Sequence, residues 1–389
     1  MLRKLLLCLG VAAVTSALAG CPPSGGGGAG GGGGSAGSGP ILVGYYGDLT
    51  GGTATFGIST REGIDLAVDE INQKPPLGRP LEIRGEDDQG KSEQAVSVVT
   101  KLITQDQVVA VLGEVASSNS LAAAPVCQQN NIPMITPAST NTKVTQVGDY
   151  IFRICFIDPF QGSVMAKFAF NTLKAKRAAI LWDVKSDYSK GLLQSFRETF
   201  TGLGGQVVAE PSYAQGDSDF NAQLNSIKGA KPDVIFIPGY YTEVGTISRQ
   251  ARDQGIDTPL IGADGWDSPK LFEGAGATLK GGYMSNHYSA ESKDPQVQDF
   301  ITKYKAKYNG KTPDAMAALG YDAARILAEA ITRAGNTDGP ALRDAIAQTK
   351  SFAGVTGEIT LDAERNATKP AVVLRIGDKA YEYVETVQP

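Results

Sequence analysis

Histidine is almost missing from this chain: His287 is the only one in 389 residues. A lone imidazole excludes any site that needs a second one, and it excludes a His-rich metal cluster. Other catalytic spacings are missing as well, with no Ser-x-x-Lys, no His-Glu-x-x-His and no Cys-x-x-Cys. His287 precedes an aromatic at the end of a strand-like run and reads as structural. Asp65 and Asp69 share a helix face but read as solvated. No metal, no cofactor and no nucleophile can be nominated, so the chain does not read as an enzyme. A basic excess is also missing. The formal charge is −5, and becomes −7 once Arg3 and Lys4 leave with a leader. That balance argues against nucleic acid and fits a soluble body outside the cytoplasm.

No long apolar run is present after the N-terminus. Leu5 to Ala19 is apolar and small behind Arg3 and Lys4, too short to span a bilayer comfortably. It ends in Leu18-Ala19-Gly20-Cys21, which is similar to the lipobox of bacterial lipoproteins. Residues 1–20 therefore read as a lipoprotein signal peptide and Cys21 as the lipidated residue; the alternative is a chance cysteine after a plain signal. Residues 21–40 form a glycine-rich tether with a root-mean-square reach of roughly 25 Å. Its Gly33-x-Ser35-x-Gly37 lacks the strand and helix that a nucleophile elbow requires. The expected location is the periplasm, at the outer face of the cytoplasmic membrane. Of four cysteines, Cys8 leaves with the signal, so Cys127 and Cys155 remain. An oxidising compartment would permit a bridge between them, but spacing leaves its geometry open.

From Ile41 onward short apolar runs alternate with amphipathic stretches. Strands are predicted at Ile41–Gly47, Leu81–Glu86, Val108–Gly113 and Ile132–Thr136, with helices at Arg61–Asn72, Glu93–Thr104 and Leu121–Gln129. The pattern restarts with "AAILWD", "QVVAEPSY", "DVIFIPG" and "TPLIGAD", separated by helices at Gly191–Thr201, Phe220–Ile227 and Val244–Gln254. Such alternation predicts an α/β protein with two doubly wound parallel-sheet lobes.

One motif competes with a binding role of another kind. Gly85-x-x-x-x-Gly90-Lys91-Ser92 has the spacing of a phosphate-cradling loop. Three of its four variable positions are Glu86, Asp87 and Asp88. Each carboxylate near a phosphate would cost on the order of a kcal/mol or more, so the stretch reads as an acidic strand-to-helix turn.

Ligands of open α/β sheets sit beyond the carboxyl ends of the strands. The loops there carry hydroxyls and helix N-termini in the first half, at Ser117, Ser118 and Thr140, which suit a carboxylate. The second half supplies one carboxylate, Asp264, for an ammonium, and the aromatics Tyr188, Tyr240 and Trp266. Carboxylate, ammonium and an apolar remainder describe an apolar α-amino acid.

"GDLTG…FG", "PVCQQNNIPMITPASTN", "YIFRICFIDPFQG" and "GADGWDS" occur in an order that resembles the periplasmic binding proteins of the leucine/isoleucine/valine type, which serve ABC importers. The resemblance runs from Ile41 to the C-terminus. It implies a type I fold with three crossovers, near Ile157–Asp158, Met284–His287 and Lys369–Pro370. Lobe 1 would be 41–157 plus 287–369, and lobe 2 158–286 plus 370–389. It implies that Ser117 and Thr140 bind the α-carboxylate and that the Ala138 carbonyl helps receive the ammonium. Asp264 would be the ammonium's acidic partner, Tyr188 and Tyr240 would close over the ligand, and Phe56 stands at an aromatic position. The family's first-lobe disulfide has no counterpart, since Ala116 occupies one of its positions. Asp264 is shorter than the usual Glu, and Trp266 adds bulk nearby. The partners implied are an amino acid and an ABC permease, with a monomeric protein touching the membrane only through its lipid. An amide, urea or aromatic acid as ligand, or a sensing role without transport, stays open.

Overall fold

The computed structural model describes residues 39–389; the expected signal peptide, the expected lipidation site Cys21 and nearly all of the expected tether lie outside the described residues. Parallel strands buried on both faces need apolar side chains in succession, and Ile-Leu-Val-Gly-Tyr-Tyr-Gly meets that need. This stretch is β1 (Ile41–Gly47), an interior strand of a five-stranded sheet of order β2-β1-β3-β4-β5. Its companions are β2 (Leu81–Asp87), β3 (Ala110–Leu112), β4 (Met134–Thr136) and β5 (Ile151–Arg153), all parallel.

A second sheet carries β6 (Arg177–Ile180), β8 (Gln206–Ala209), β10 (Val234–Phe236), β11 (Leu260–Gly262), β12 (Tyr283–Asn286), β16 (Ala371–Ile376) and β17 (Tyr381–Val387), in the order β17-β16-β12-β11-β10-β6-β8. Two short strands, β7 (Trp182–Asp183) and β9 (Ser212–Tyr213), pair beside it. β13 (Phe352–Gly354), β14 (Gly357–Leu361) and β15 (Ala367–Thr368) form an antiparallel meander. The sheets are thus not wholly parallel. β16 runs against β12, and β17 returns after a turn of four residues, a connection too short for anything but an antiparallel hairpin.

The strands change sheet after β5. Following β12, helices Pro295–Lys307 and Ala315–Ala334 pack on helix Ala54–Ile71 of the first lobe, with Tyr304 donating to Glu62 and Lys303 paired with Glu70 at 3.1 Å. After β15 the chain enters the second sheet again. The two long helices approach so closely that a Cβ on Gly63 would lie 1.9 Å from the Ala317 carbonyl oxygen.

Alternate residues of β1 face opposite ways. Ile41, Val43 and Tyr45 join the larger core, and Tyr46 the smaller one. Cys155 packs in the larger core and Cys127 in the smaller one, so the sheet separates them. Both thiols are free and buried, and burial pushes each up to about 12. The bridge that an oxidising compartment would permit is therefore not formed.

The acidic turn is built as its composition requires. Asp87 Oδ1 accepts from the Leu49 and Gln89 amides, at 2.9 and 2.8 Å, and Asp88 Oδ1 accepts from the Gly90 amide at 2.9 Å. Of the loop's amides, those of Gln89 and Gly90 are thus taken by its own carboxylates, and those of Asp88 and Lys91 by backbone carbonyls.

Candidate ligand-binding cleft

The loops at the carboxyl ends of both sheets meet. In the first lobe, Gly113 leaves β3 at φ 122°, a conformation suited to glycine. Four residues on, Ser117 opens helix Ser117–Gln129. Ser117 Oγ accepts from the Asn141 amide at 3.2 Å, joining this helix start to the loop after β4. That loop, Ala138-Ser139-Thr140, is buried and held from behind by Arg153, which donates to the carbonyls of Ser139 and Thr142. Thr140 Oγ1 is sealed from solvent and has no hydrogen-bond partner.

In the second lobe Asp264 follows β11 and is 2 % exposed. Its Oδ1 accepts from the Tyr188 hydroxyl at 2.8 Å, and its Oδ2 lies 2.9 Å from His287 Nε2. The Tyr188 oxygen also accepts from the Gly265 amide at 2.9 Å. Among the described residues no lysine or arginine pairs with Asp264. Tyr240 stacks on Tyr188 with centroids 5.1 Å apart, and Phe56 of the first lobe meets Tyr240 edge-on at 5.7 Å. Burial raises both tyrosines' pKa well above the ordinary value, so both remain hydrogen-bond donors.

A second carboxylate joins them. Asp158 is buried, and its Oδ2 is without a partner. Burial drives its carboxyl up to about 7, with Asp264 pushing the same way and Gln161, which donates to its Oδ1 at 3.3 Å, opposing the rise.

The lobes touch along the cleft's edges. Ser118 and Asp187 exchange hydrogen bonds of 2.9 and 3.0 Å, Asn141 Nδ2 donates to the Asp187 carbonyl at 2.7 Å, and Thr55 Oγ1 lies 2.9 Å from Ser268 Oγ. Phe56 also packs edge-on against Tyr241 at 4.9 Å. This is a closed arrangement.

Of the residues nominated from sequence, Tyr188, Tyr240, Asp264 and Phe56 are linked directly. Ser117, Ala138 and Thr140 share the first-lobe wall. Trp266 is placed elsewhere: its ring lies against Gly262, whose added Cβ would sit 2.0 Å from it, and its indole donates to the Ile237 carbonyl at 3.0 Å. It fills the second lobe's core, a role that bulk near Asp264 in sequence does not reveal.

His287, read from sequence as structural, is a neighbour of Asp264. The one available signal was its place just past β12, because ends of adjacent parallel strands converge, and β12 pairs with β11. Asp158 and Asn141 lie inside the quoted stretches YIFRICFIDPFQG and PVCQQNNIPMITPASTN, yet neither was nominated for the site.

Residues 40–380 match a family described as "Periplasmic binding protein". The crystal structure of a leucine binding protein, LivK, from Thermotoga maritima is 40% identical, with a TM-score of 0.86, over 90% of this chain and 99% of that one. LivJ from Streptococcus pneumoniae, a branched-chain amino acid transporter substrate binding protein solved with isoleucine, is 35% identical with a TM-score of 0.85, over 90% and 100% of the two chains. The Leu/Ile/Val-binding protein BraC3 of Rhizobium johnstonii is 32% identical over 82% of this chain and 87% of its own. These relatives are substrate-binding proteins, and the overall fold superposes on the two solved ones over 90% of this chain. The chain belongs to the periplasmic binding protein family, in its type I form.

Proposed function

We propose that this protein captures an apolar, branched-chain L-amino acid between its lobes and delivers it to an ABC permease. The observation that carries this is Asp264: a buried carboxylate, held by two donors, without a lysine or arginine partner among the described residues. Burying such a charge is costly unless a cation joins it, and an α-ammonium supplies one. Ser117 and Thr140 would take the α-carboxylate, the Ala138 carbonyl would share the ammonium, and Tyr188, Tyr240 and Phe56 would cover the side chain. Closure then follows from contacts that only the closed form makes. The bound ligands named for LivJ and the Leu/Ile/Val-binding relatives support the same class.

A thermal-shift screen of residues 40–389 with the twenty L-amino acids, urea, benzoate and Mg–ATP tests this. Ligand at about a thousand times Kd adds roughly 4 kcal/mol, so leucine, isoleucine or valine should raise the melting temperature by several degrees. A flat amino-acid row with a response to urea or benzoate would overturn the assignment.

The lipid at Cys21 would keep the protein beside its permease. Cys21→Ser is expected to leave affinity unchanged while moving the protein from the membrane to the soluble fraction. Deletion of the gene should abolish uptake of the same amino acid. Uptake unaffected by deletion would turn the proposal from transport to sensing.

A further inference from the structure

Amino-acid capture by Asp264 does not explain why its second oxygen is held by the chain's only histidine. His287 is 2 % exposed, and the Phe156 ring stacks on its imidazole at 3.8 Å and 21°. Its backbone amide donates to Asn286 Oδ1 at 2.8 Å, and Asn286 Nδ2 donates to Asp267 Oδ2 at 2.8 Å. The same Asp267 oxygen accepts from the Ala315 amide at 2.8 Å, at the start of helix Ala315–Ala334. Phe156 follows β5 and His287 follows β12, two of the three places where the chain passes between the lobes, the third lying between β15 and β16. The imidazole therefore ties Asp264 to both crossing segments.

We propose that His287 is a positioning residue that sets the charge of the ammonium pocket. As a neutral imidazole it donates Nε2–H to Asp264 and leaves that carboxylate's charge to the ligand. As an imidazolium it becomes the counter-ion itself, and an amino acid is released. The proposal rests on the amino-acid reading of the cleft.

Both protonation states have a physical reason to differ. With Nε2–H donated, Nδ1 is a sealed acceptor with no partner; a proton there would add a buried donor that also has none. Burial holds the His287 pKa below its ordinary value, the Asp264 carboxylate opposes that shift, and the cation of Lys369, reaching in between β15 and β16, reinforces it. The other ionisable groups that feel the Asp264 charge include Asp158 and Asp267, both driven up to about 7 by burial, and the buried thiol of Cys155. The sign follows. At neutral pH the imidazole is neutral, Asp264 carries an unmatched charge, and one ammonium completes the pocket. As pH falls through the His287 pKa the pocket becomes neutral without ligand, so affinity drops. Linkage makes this reciprocal: bound amino acid must lower the His287 pKa further.

Titration calorimetry with leucine on the wild-type protein and on His287→Gln, at about pH 7.5 and about pH 5.5, reads the effect across the range where an imidazole titrates. Glutamine keeps a donor to Asp264 but cannot titrate. The wild-type Kd is expected to rise about fivefold on acidification, short of the roughly tenfold limit for an imidazole of ordinary pKa, and that of His287→Gln by no more than about twofold, the residue of Asp158 and Asp267 titration. A glutamine variant with the wild-type pH profile would overturn the proposal. A second readout does not need the variant to fold, because one histidine yields one set of imidazole ring signals in NMR. Saturating leucine is expected to move that titration to lower pH; an unmoved titration overturns the proposal. Should leucine fail to bind at any pH, the amino-acid reading falls, and the pairing is then judged without ligand. Asp264→Asn should lower the His287 pKa by at least about half a unit, and an unchanged value would end the proposal.

Discussion

Asp264→Ala is expected to weaken binding of the preferred amino acid by about two to three decades, roughly 3–5 kcal/mol. Three losses combine. The ligand's ammonium would enter a buried pocket without its counter-ion, the Tyr188 hydroxyl would lose the acceptor at 2.8 Å, and His287 Nε2 would lose the one at 2.9 Å. Tyr188 also receives the Gly265 amide, so its ring should stay near its place and the fold should survive. Asp264→Asn separates charge from hydrogen bonding: it retains a carbonyl for Tyr188 but cannot neutralise an ammonium. Its loss should approach that of alanine if charge dominates. Isothermal titration at neutral pH decides the matter, with circular dichroism confirming the fold. An alanine variant within threefold of wild type would remove Asp264 from the site.

Gly63→Leu carries the largest expected effect on stability, a loss of roughly 3 kcal/mol or more. A Cβ at this position would lie 1.9 Å from the Ala317 carbonyl oxygen and 2.7 Å from its carbon, both backbone atoms of helix Ala315–Ala334. Gly320 returns the contact, its Cβ position being 2.3 Å from the Thr60 carbonyl oxygen. Backbone cannot rotate away as a side chain can, so the helices must separate. Even Gly63→Ala should destabilise. Its gain in helix propensity is about 1 kcal/mol, whereas overpacking costs about 1–3 kcal/mol. Gly229, inside helix Asn221–Ala230, has nothing within 4 Å of its Cβ position. There the same change to alanine should stabilise by about 0.5–1 kcal/mol. Urea melts of the variants compare these directly. Equal midpoints for Gly63→Leu and wild type would contradict the close helix contact.

Part of the fold was legible because local pattern and burial agree. β1 is apolar throughout and is paired on both sides; helix Ser92–Thr104 shows its apolar face in sequence and begins one residue before the predicted start. Where they disagree, packing wins. Helix Ala54–Ile71 starts seven residues ahead of Arg61, through Ala-Thr-Phe-Gly-Ile-Ser-Thr, which contains a glycine and β-branched residues of modest helix propensity. Phe56, Ser59 and Thr60 are buried there, and Ser59 donates to Asp314 at 2.7 Å. Likewise helix Ser117–Gln129 begins with Ser-Ser-Asn-Ser and contains Pro125, so it reads as helical only from Leu121. The C-terminal meander and the antiparallel edge had no such pattern to declare them.

What the sequence determined by itself was the alternation of strand and helix, the acidic turn that refuses phosphate, and the residue types gathered at strand ends. Those follow from side-chain period and charge, which are local properties. The tertiary structure decided which of those residues meet. It turned Trp266 onto Gly262, placed a sheet between Cys127 and Cys155, and brought His287 against Asp264 across 23 positions of chain. Each outcome depends on which strands lie side by side and which face each residue takes. Pairing and facing come from burial summed over both lobes, and no short stretch of sequence carries that sum.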